Sequence, residues 1–217
     1  IITKVNALKR NRTSQNHTAT HLLQKALVEV LGNHVQQAGS NVNENVLRFD
    51  FTHFESVTKP ELVKIEEIVN SKISEFLPVV TKEMSIKEAQ KTGATALFGE
   101  KYGKSVRVVN SGDWSVEFCG GTHVNNTGEI GLFNIVSEQG IAAGTRRIEA
   151  ITGVNSFNYV RELNEKIAKT AAALKTDSDS LAERAVKIAE EIREDKKEIE
   201  TLKSKLAAVE TAEFAKE

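Results

Sequence analysis

Two residue pairs in this chain have the types and spacing of metal ligands. In "NHTATHLL", residues 16–23, His17 and His21 stand four apart. In "EFCGGTH", residues 117–123, the single cysteine, Cys119, stands four before His123. On a helix, residues four apart lie one turn apart on one face, a separation that one ion can bridge. In the second pair, Gly120 and Gly121 permit the tight bend that aims a thiol and an imidazole at one point. Sulfur with imidazole nitrogen favours zinc among the common metals. Thr18 follows His17, so the helical pair lacks the glutamate of the H-E-x-x-H proteases. Four protein ligands would close the site, and three with a water would leave it reactive; the count alone allows both. The flanking threonines and the glycine turn favour a cleft. His34 and His53 have no comparable neighbours and read as structural or surface residues.

A helix must carry the first pair. With His17 at 0° on a helical wheel, His21 falls at about 40°, Thr20 at about −60° and Thr18 at about 100°. Ala19, Leu23, Ala26, Leu27 and Val30 centre near roughly 225°, so the histidines point away from the main apolar stripe. Ser14 is the expected N-cap, and Gly32 ends the helix after Leu31. "VLRFDF", residues 46–51, alternates as a half-buried strand, with Arg48 and Asp50 on its polar face. Pro60 suits the first turn of a second helix, whose stripe is Leu62, Ile65, Val69, Ile73 and Phe76. "VVTKEM", "SVRVVN", "WSVEF", "GLFNIVSE" and "RRIEAI" read as further strands, and Ser85 as the cap of a short helix. Strands and helices without a regular βαβ rhythm indicate an α+β domain with a mixed or antiparallel sheet.

The pattern changes near residue 153 and becomes helical. A helix over residues 154–174 leads through "KTDSDS", where Asp177 and Ser178 are cap candidates, into a second helix. There Leu181, Ala185, Ile188, Ile192, Asp195, Ile199, Leu202, Leu206 and Val209 alternate four-three, a coiled-coil seam with one polar break. The short turn predicts an antiparallel hairpin; pairing with another chain is the alternative. The expected division is therefore a site-bearing domain over 1–152 and a helical hairpin over 153–217.

Bulk properties narrow the function. The net charge of −1 excludes a polycation, but the first 28 residues carry Lys4, Lys9, Arg10, Arg12 and Lys25 and no acid. That local basic segment suits either solvent or nucleic-acid phosphate. One cysteine excludes an internal disulfide and suits a reducing compartment. No apolar run approaches the roughly 20 residues of a membrane span. The start "IITKV" and a single methionine, Met84, suggest a piece of a longer protein.

Taken together, "NHTATHLLQKAL", "GNHVQQAGSNVNENVLRFDFTHF", "SGDWSVEFCGGTHVNNTGEIGLFNIVSEQGIAAGTRRIEAITG" and the helices after them resemble the editing region of alanyl-tRNA synthetases. The resemblance runs from about Arg12 through the hairpin. Related modules occur in threonyl-tRNA synthetase and in free-standing alanyl-editing proteins. It implies that His17, His21, Cys119 and His123 hold Zn2+, and that the ester of mischarged Ser-tRNA(Ala) or Gly-tRNA(Ala) is hydrolysed. It also implies an ATP-dependent ligase domain upstream, a further domain after the hairpin, and a cytoplasmic location. Within that reading, Thr18 or Thr20 contacts the serine hydroxyl; Thr20 alternatively bonds its own helix backbone. Gln37 orients water or the aminoacyl group, or is a simple loop amide. Arg48 and Asp50 brace the pocket or form a strand-face ion pair. Arg10, Arg12, Arg146 and Arg147 are the candidates for RNA phosphate. No residue presents itself as a general base. Two other readings are a free-standing trans-editing hydrolase and a zinc-stiffened tRNA-binding module without activity.

Overall fold

The structure, a computed structural model, describes residues 2–94, 103 and 105–214. The chain divides into two compact units, Ile1–Tyr159 and Val160–Glu217. In the first, helix α1 (Ala7–Leu31) precedes strands β1 (Gln37–Val42) and β2 (Leu47–Thr52) and helix α2 (Lys59–Ser74). Then come β3 (Val79–Ser85), α3 (Ile86–Lys91), β4 (Ser105–Ser111), β5 (Ser115–Phe118), a 3₁₀ turn (Thr127–Ile130), β6 (Phe133–Ala142) and β7 (Thr145–Thr152). One antiparallel sheet has the order β1-β2-β7-β6 and a second the order β3-β4-β5. This is the expected α+β architecture.

Alternation explains the first sheet. Leu47, Phe49 and Phe51 of β2, with Ile148 and Ala150 of β7, are fully buried. They share a core with Ala19, Leu22, Leu23, Ala26 and Leu27 of α1 and with Ile65, Val69 and Ile73 of α2. The second sheet has its own small core, in which Val106, Val108 and Phe118 pack with Ala89 of α3.

Helix α1 begins seven residues before the expected cap. Asn6 takes that role, its Oδ1 accepting from Lys9 N at 3.0 Å. Ser14 instead lies inside the helix, its hydroxyl donating to Arg10 O at 2.9 Å. The first turns are exposed and polar, so no apolar period marks them. The second helix starts as expected: Thr58 and Glu61 form a reciprocal cap, and Pro60 sits in the first turn. Ser85 and Glu88 repeat that cap on α3.

After β7, α4 (Gly153–Ala173) starts within the first unit and runs on through a turn to α5 (Leu181–Phe214). Asp177 Oδ1 accepts from Ser180 N at 2.8 Å, so the expected cap residue shapes the turn. Arg184 Nε donates to Leu174 O at 3.4 Å, and Ala171 is buried beside the turn. Further along α5, Ile192, Ile199, Leu202, Leu206 and Val209 are exposed. No helix among the described residues is long and apolar enough to cross a membrane.

Candidate metal centre

The two ligand pairs meet. One ligand atom from each of His17, His21, Cys119 and His123 lies within 4.8 Å of every other. Cys119 Sγ is 3.4 Å from His17 Nε2 and 3.3 Å from His123 Nε2. Tetrahedral bonds of about 2.0–2.3 Å separate ligand atoms by roughly 3.3–3.7 Å, so these two distances suit a shared zinc centre. The rings crowd together as well: His17 and His21 centroids are 5.4 Å apart, and His123 lies 4.5 Å from His17 and 4.6 Å from His21.

The helical pair faces away from the apolar stripe, but not into solvent. Residues 119–124, which follow β5, meet that side of α1 at His17, Thr18 and His21, and Thr18 and His21 are buried. Two contacts hold this segment down. Arg107 of β4 donates through Nη1 to the carbonyls of Cys119, at 3.2 Å, and Gly121. The other contact is Thr18. Its hydroxyl donates to Ser14 O at 3.0 Å and receives Val124 N–H at 3.2 Å. The third hydroxyl position faces His123 Nδ1 at 3.1 Å. With its one proton directed to Ser14, Thr18 can only accept from that nitrogen. His123 is then protonated at Nδ1, which leaves the Nε2 lone pair toward Cys119.

Glycine is required once in the turn. A Cβ on Gly121 would overlap the imidazole of His17, while a Cβ on Gly120 would meet nothing within 4 Å. Gly121 N also donates to Cys119 Sγ at 3.4 Å, which favours a thiolate.

Electrostatics keep the imidazoles neutral and ready to ligate. Burial pushes His123 down to about 3, helped by the neighbouring His17 and Arg107 charges. Burial lowers His21 well below its usual value, with His123, His17 and Arg107 adding to it. The same causes, burial and then Arg107, lower His17. Behind His21 lies a carboxyl that the motif contained but the sequence reading did not single out: Glu117. Its Oε2 is 3.6 Å from His21 Nε2, and both groups are buried. Burial raises Glu117 to about 8, against a hydrogen bond from Ser115 that lowers it. In the metal-free protein near pH 7 the two therefore face each other uncharged, not as an ion pair. Among the described residues His21 Nδ1 is buried without a hydrogen-bond partner, as are Ser111 Oγ and Asn134 Oδ1. An orphaned ring nitrogen in a cluster of soft donors fits a metal ion.

An open cavity of about 360 Å³ has Glu117, Gln24, Gln37, Trp114 and Ser115 on its wall, but none of the four candidate ligands. The other site candidates are distributed as follows. Gln37 Nε2 donates to Ser40 Oγ at 3.3 Å and Thr20 Oγ1 donates to Asn16 O at 2.8 Å. Asp50 pairs in a two-pronged contact with Arg147 across the β2–β7 ladder, both bonds 2.7 Å, rather than with Arg48. Arg146 is paired likewise with Glu138 at 2.6 and 2.8 Å. Arg10 is exposed near the start of α1 and Arg12 half-buried. His34 and His53, read as structural or surface residues, contact each other, Nε2 to Nδ1 at 2.8 Å.

The chain is similar to known proteins at two scales. Residues 106–149, which include Arg107, Glu117, Cys119 and His123, match the family described as the threonyl and alanyl tRNA synthetase second additional domain. The chain as a whole is similar to alanine-tRNA ligases. It is 54% identical over 203 residues to alanine-tRNA ligase 1 of Lachnoclostridium phytofermentans, covering 94% of this chain and 23% of that protein. Alanine-tRNA ligase of Listeria monocytogenes serotype 4b is 53% identical over 210 residues, and that of Alkaliphilus oremlandii 52% over 211. Each of these two alignments covers 97% of this chain and 24% of the relative. The chain thus spans about a quarter of the length of the relatives it matches, and the resemblance read from its motifs extends over nearly all of it.

Proposed function

We propose that the chain performs post-transfer editing: hydrolysis of the ester that joins serine or glycine to tRNA(Ala). The observation that supports this most strongly is the convergence of His17, His21, Cys119 and His123, with Glu117 beside His21 also lining an open cavity. In this reading the four residues hold Zn2+, which supplies Lewis acidity toward the ester carbonyl or the attacking water. The editing domain occupies residues 1–152, and the helices over 153–217 lead to a further domain. The protein works in the cytoplasm as part of an alanine-tRNA ligase whose ATP-dependent domain lies upstream.

The chain's own groups have separable tasks. Thr18 fixes the His123 ring, as its hydrogen bonds require. Thr20 donates to the helix backbone and keeps its hydroxyl lone pairs for a substrate hydroxyl. Gln37, on the cavity wall, orients the aminoacyl group or water. Arg48 and Asp50 hold one wall of the sheet, Asp50 through Arg147. Arg10, Arg12, Arg146 and Arg147 lie along the RNA path, the last two reaching phosphate by exchanging their carboxylate partners.

Serine differs from alanine by one hydroxyl, which an activation pocket rejects poorly. A second site that hydrogen-bonds this hydroxyl spares alanine, because the unpaired polar group then costs about 1–3 kcal/mol. The test is deacylation of Ser-tRNA(Ala) and Gly-tRNA(Ala) beside Ala-tRNA(Ala), repeated with Cys119→Ala. We expect hydrolysis of the first two, little of the third, and loss of zinc and activity together in the variant. Binding of tRNA without hydrolysis would instead identify a non-catalytic module. Full hydrolysis by zinc-free Cys119→Ala would remove the metal from the reaction.

A further inference from the structure

We infer that Glu117 is a positioning residue for the metal centre: in the zinc-loaded protein its carboxylate accepts the Nε2–H of His21, which keeps that proton in place and presents Nδ1 to the ion. The inference rests on the zinc reading above and goes beyond it, because it assigns a function to a buried acid outside the ligand set.

Three observations converge. First, the His21 ring has its two nitrogens in different surroundings: Nε2 faces Glu117 Oε2 at 3.6 Å, and Nδ1 is buried with no hydrogen-bond partner among the described residues. A neutral imidazole has one N–H and one lone pair, so the nitrogen beside a carboxylate oxygen, the form of Glu117 that a bound cation favours, is the one suited to carry the proton. Second, the carboxyl is itself braced. Ser115 Oγ donates to Oε1 at 3.3 Å, and Ser115 and Glu117 occupy the same inward face of β5. Oε2 is left to face His21 Nε2, at 3.6 Å. Third, the neighbouring ligand is held by the same logic with the nitrogens exchanged: Thr18 receives the Nδ1 proton of His123, and Nε2 is directed to Cys119. Metal-bound histidines generally give their second N–H to such a partner, and losing it typically weakens binding 10–100-fold.

Topology makes the arrangement possible. Glu117 is two residues before Cys119, so one short strand supplies both a ligand and the support of another ligand. In the β4–β5 ladder Val109 faces Glu117, and Arg107 O receives Cys119 N–H at 3.0 Å. The brace and the turn are therefore fixed by the same pair of strands.

The experiment uses the whole chain with zinc alone as the probe. Zinc affinity is measured by competition with a chromogenic chelator for wild type, Glu117→Ala and Glu117→Gln. Long-range 1H–15N spectra of the zinc-loaded wild type read the state of each ring. We expect His21 to be protonated at Nε2 and metal-bound through Nδ1, with His123 bound through Nε2. We expect Glu117→Ala to lose about 10–100-fold in zinc affinity. Glu117→Gln retains the side-chain shape and a carbonyl acceptor, so it should keep the His21 tautomer and lose less. Wild-type affinity in Glu117→Ala, equal losses in both variants, or zinc on His21 Nε2 would each overturn the proposal. Failure of the wild-type chain to bind zinc would overturn the zinc reading first and this proposal with it, so the two failures are distinct.

Discussion

Gly120 and Gly121 are identical in sequence and opposite in requirement. Only at Gly121 would a methyl group enter the space of His17. Gly121→Ala should displace that imidazole and weaken zinc binding by about tenfold or more, the scale of a disturbed ligand shell. Gly120→Ala should leave affinity within a few-fold, and isothermal titration of both variants checks the contrast. The titratable groups give a second expectation, for the metal-free protein. Unfolded histidines take up protons as pH falls through 6.5, while folded His123 resists to about 3. His17 and His21 are shifted in the same direction. Stability is therefore lost as pH falls below 6.5. Glu117 acts oppositely: the unfolded side chain ionises near 4.5 and the folded one near 8, so its contribution is lost as pH rises across that interval. Three histidines outweigh one acid below 6.5, and above it the acid acts alone. Urea titrations of the metal-free chain should show greatest stability near pH 6.5 and a decline toward pH 8, which Glu117→Gln abolishes.

Between elements, Asn16 joins three pieces of the fold. It donates to Asn43 O in the β1–β2 turn at 2.7 Å and accepts from Thr152 Oγ1 at the end of β7, also at 2.7 Å. Asn16→Ala would strand both groups and cost about 2–4 kcal/mol in all. A lower urea midpoint at unchanged slope would show it. This scale also separates what the sequence makes legible from what it hides. Strand β2 was readable because Leu47, Phe49 and Phe51 alternate with Arg48 and Asp50 over a buried face. Strand β1 was not, because "QAGSNV" is a sheet edge with no buried residue, held by its pairing with β2. The four candidate ligands were legible because each pair is local, four residues apart. Arg107 and Glu117 were not: an arginine or a glutamate in a strand has no signature until β4 and β5 pair. For the same reason Asp50 could be placed on a polar face, but its partner Arg147, 97 residues away, could not be foreseen.

For the whole chain, the two compact units should respond differently to metal. Zinc at about a thousand times its dissociation constant adds roughly 4 kcal/mol to the unit that holds the ligands. The single tryptophan, Trp114, lies in that unit and reports its unfolding. Its melting temperature should rise with zinc and fall with chelator, while the helical signal of residues 160–214 melts unchanged. The placement of the ligands has a last consequence. His21 and Cys119 lie at the two ends of roughly a hundred residues that include both sheets' first strands. Closing a ring of that length in a flexible chain costs roughly 4 kcal/mol. Here α1 and the sheet share one packed core, which brings those two ends together. Ion affinity thus becomes a gauge of tertiary integrity: a substitution that loosens the distant sheet should register as weaker binding even where no ligand is touched.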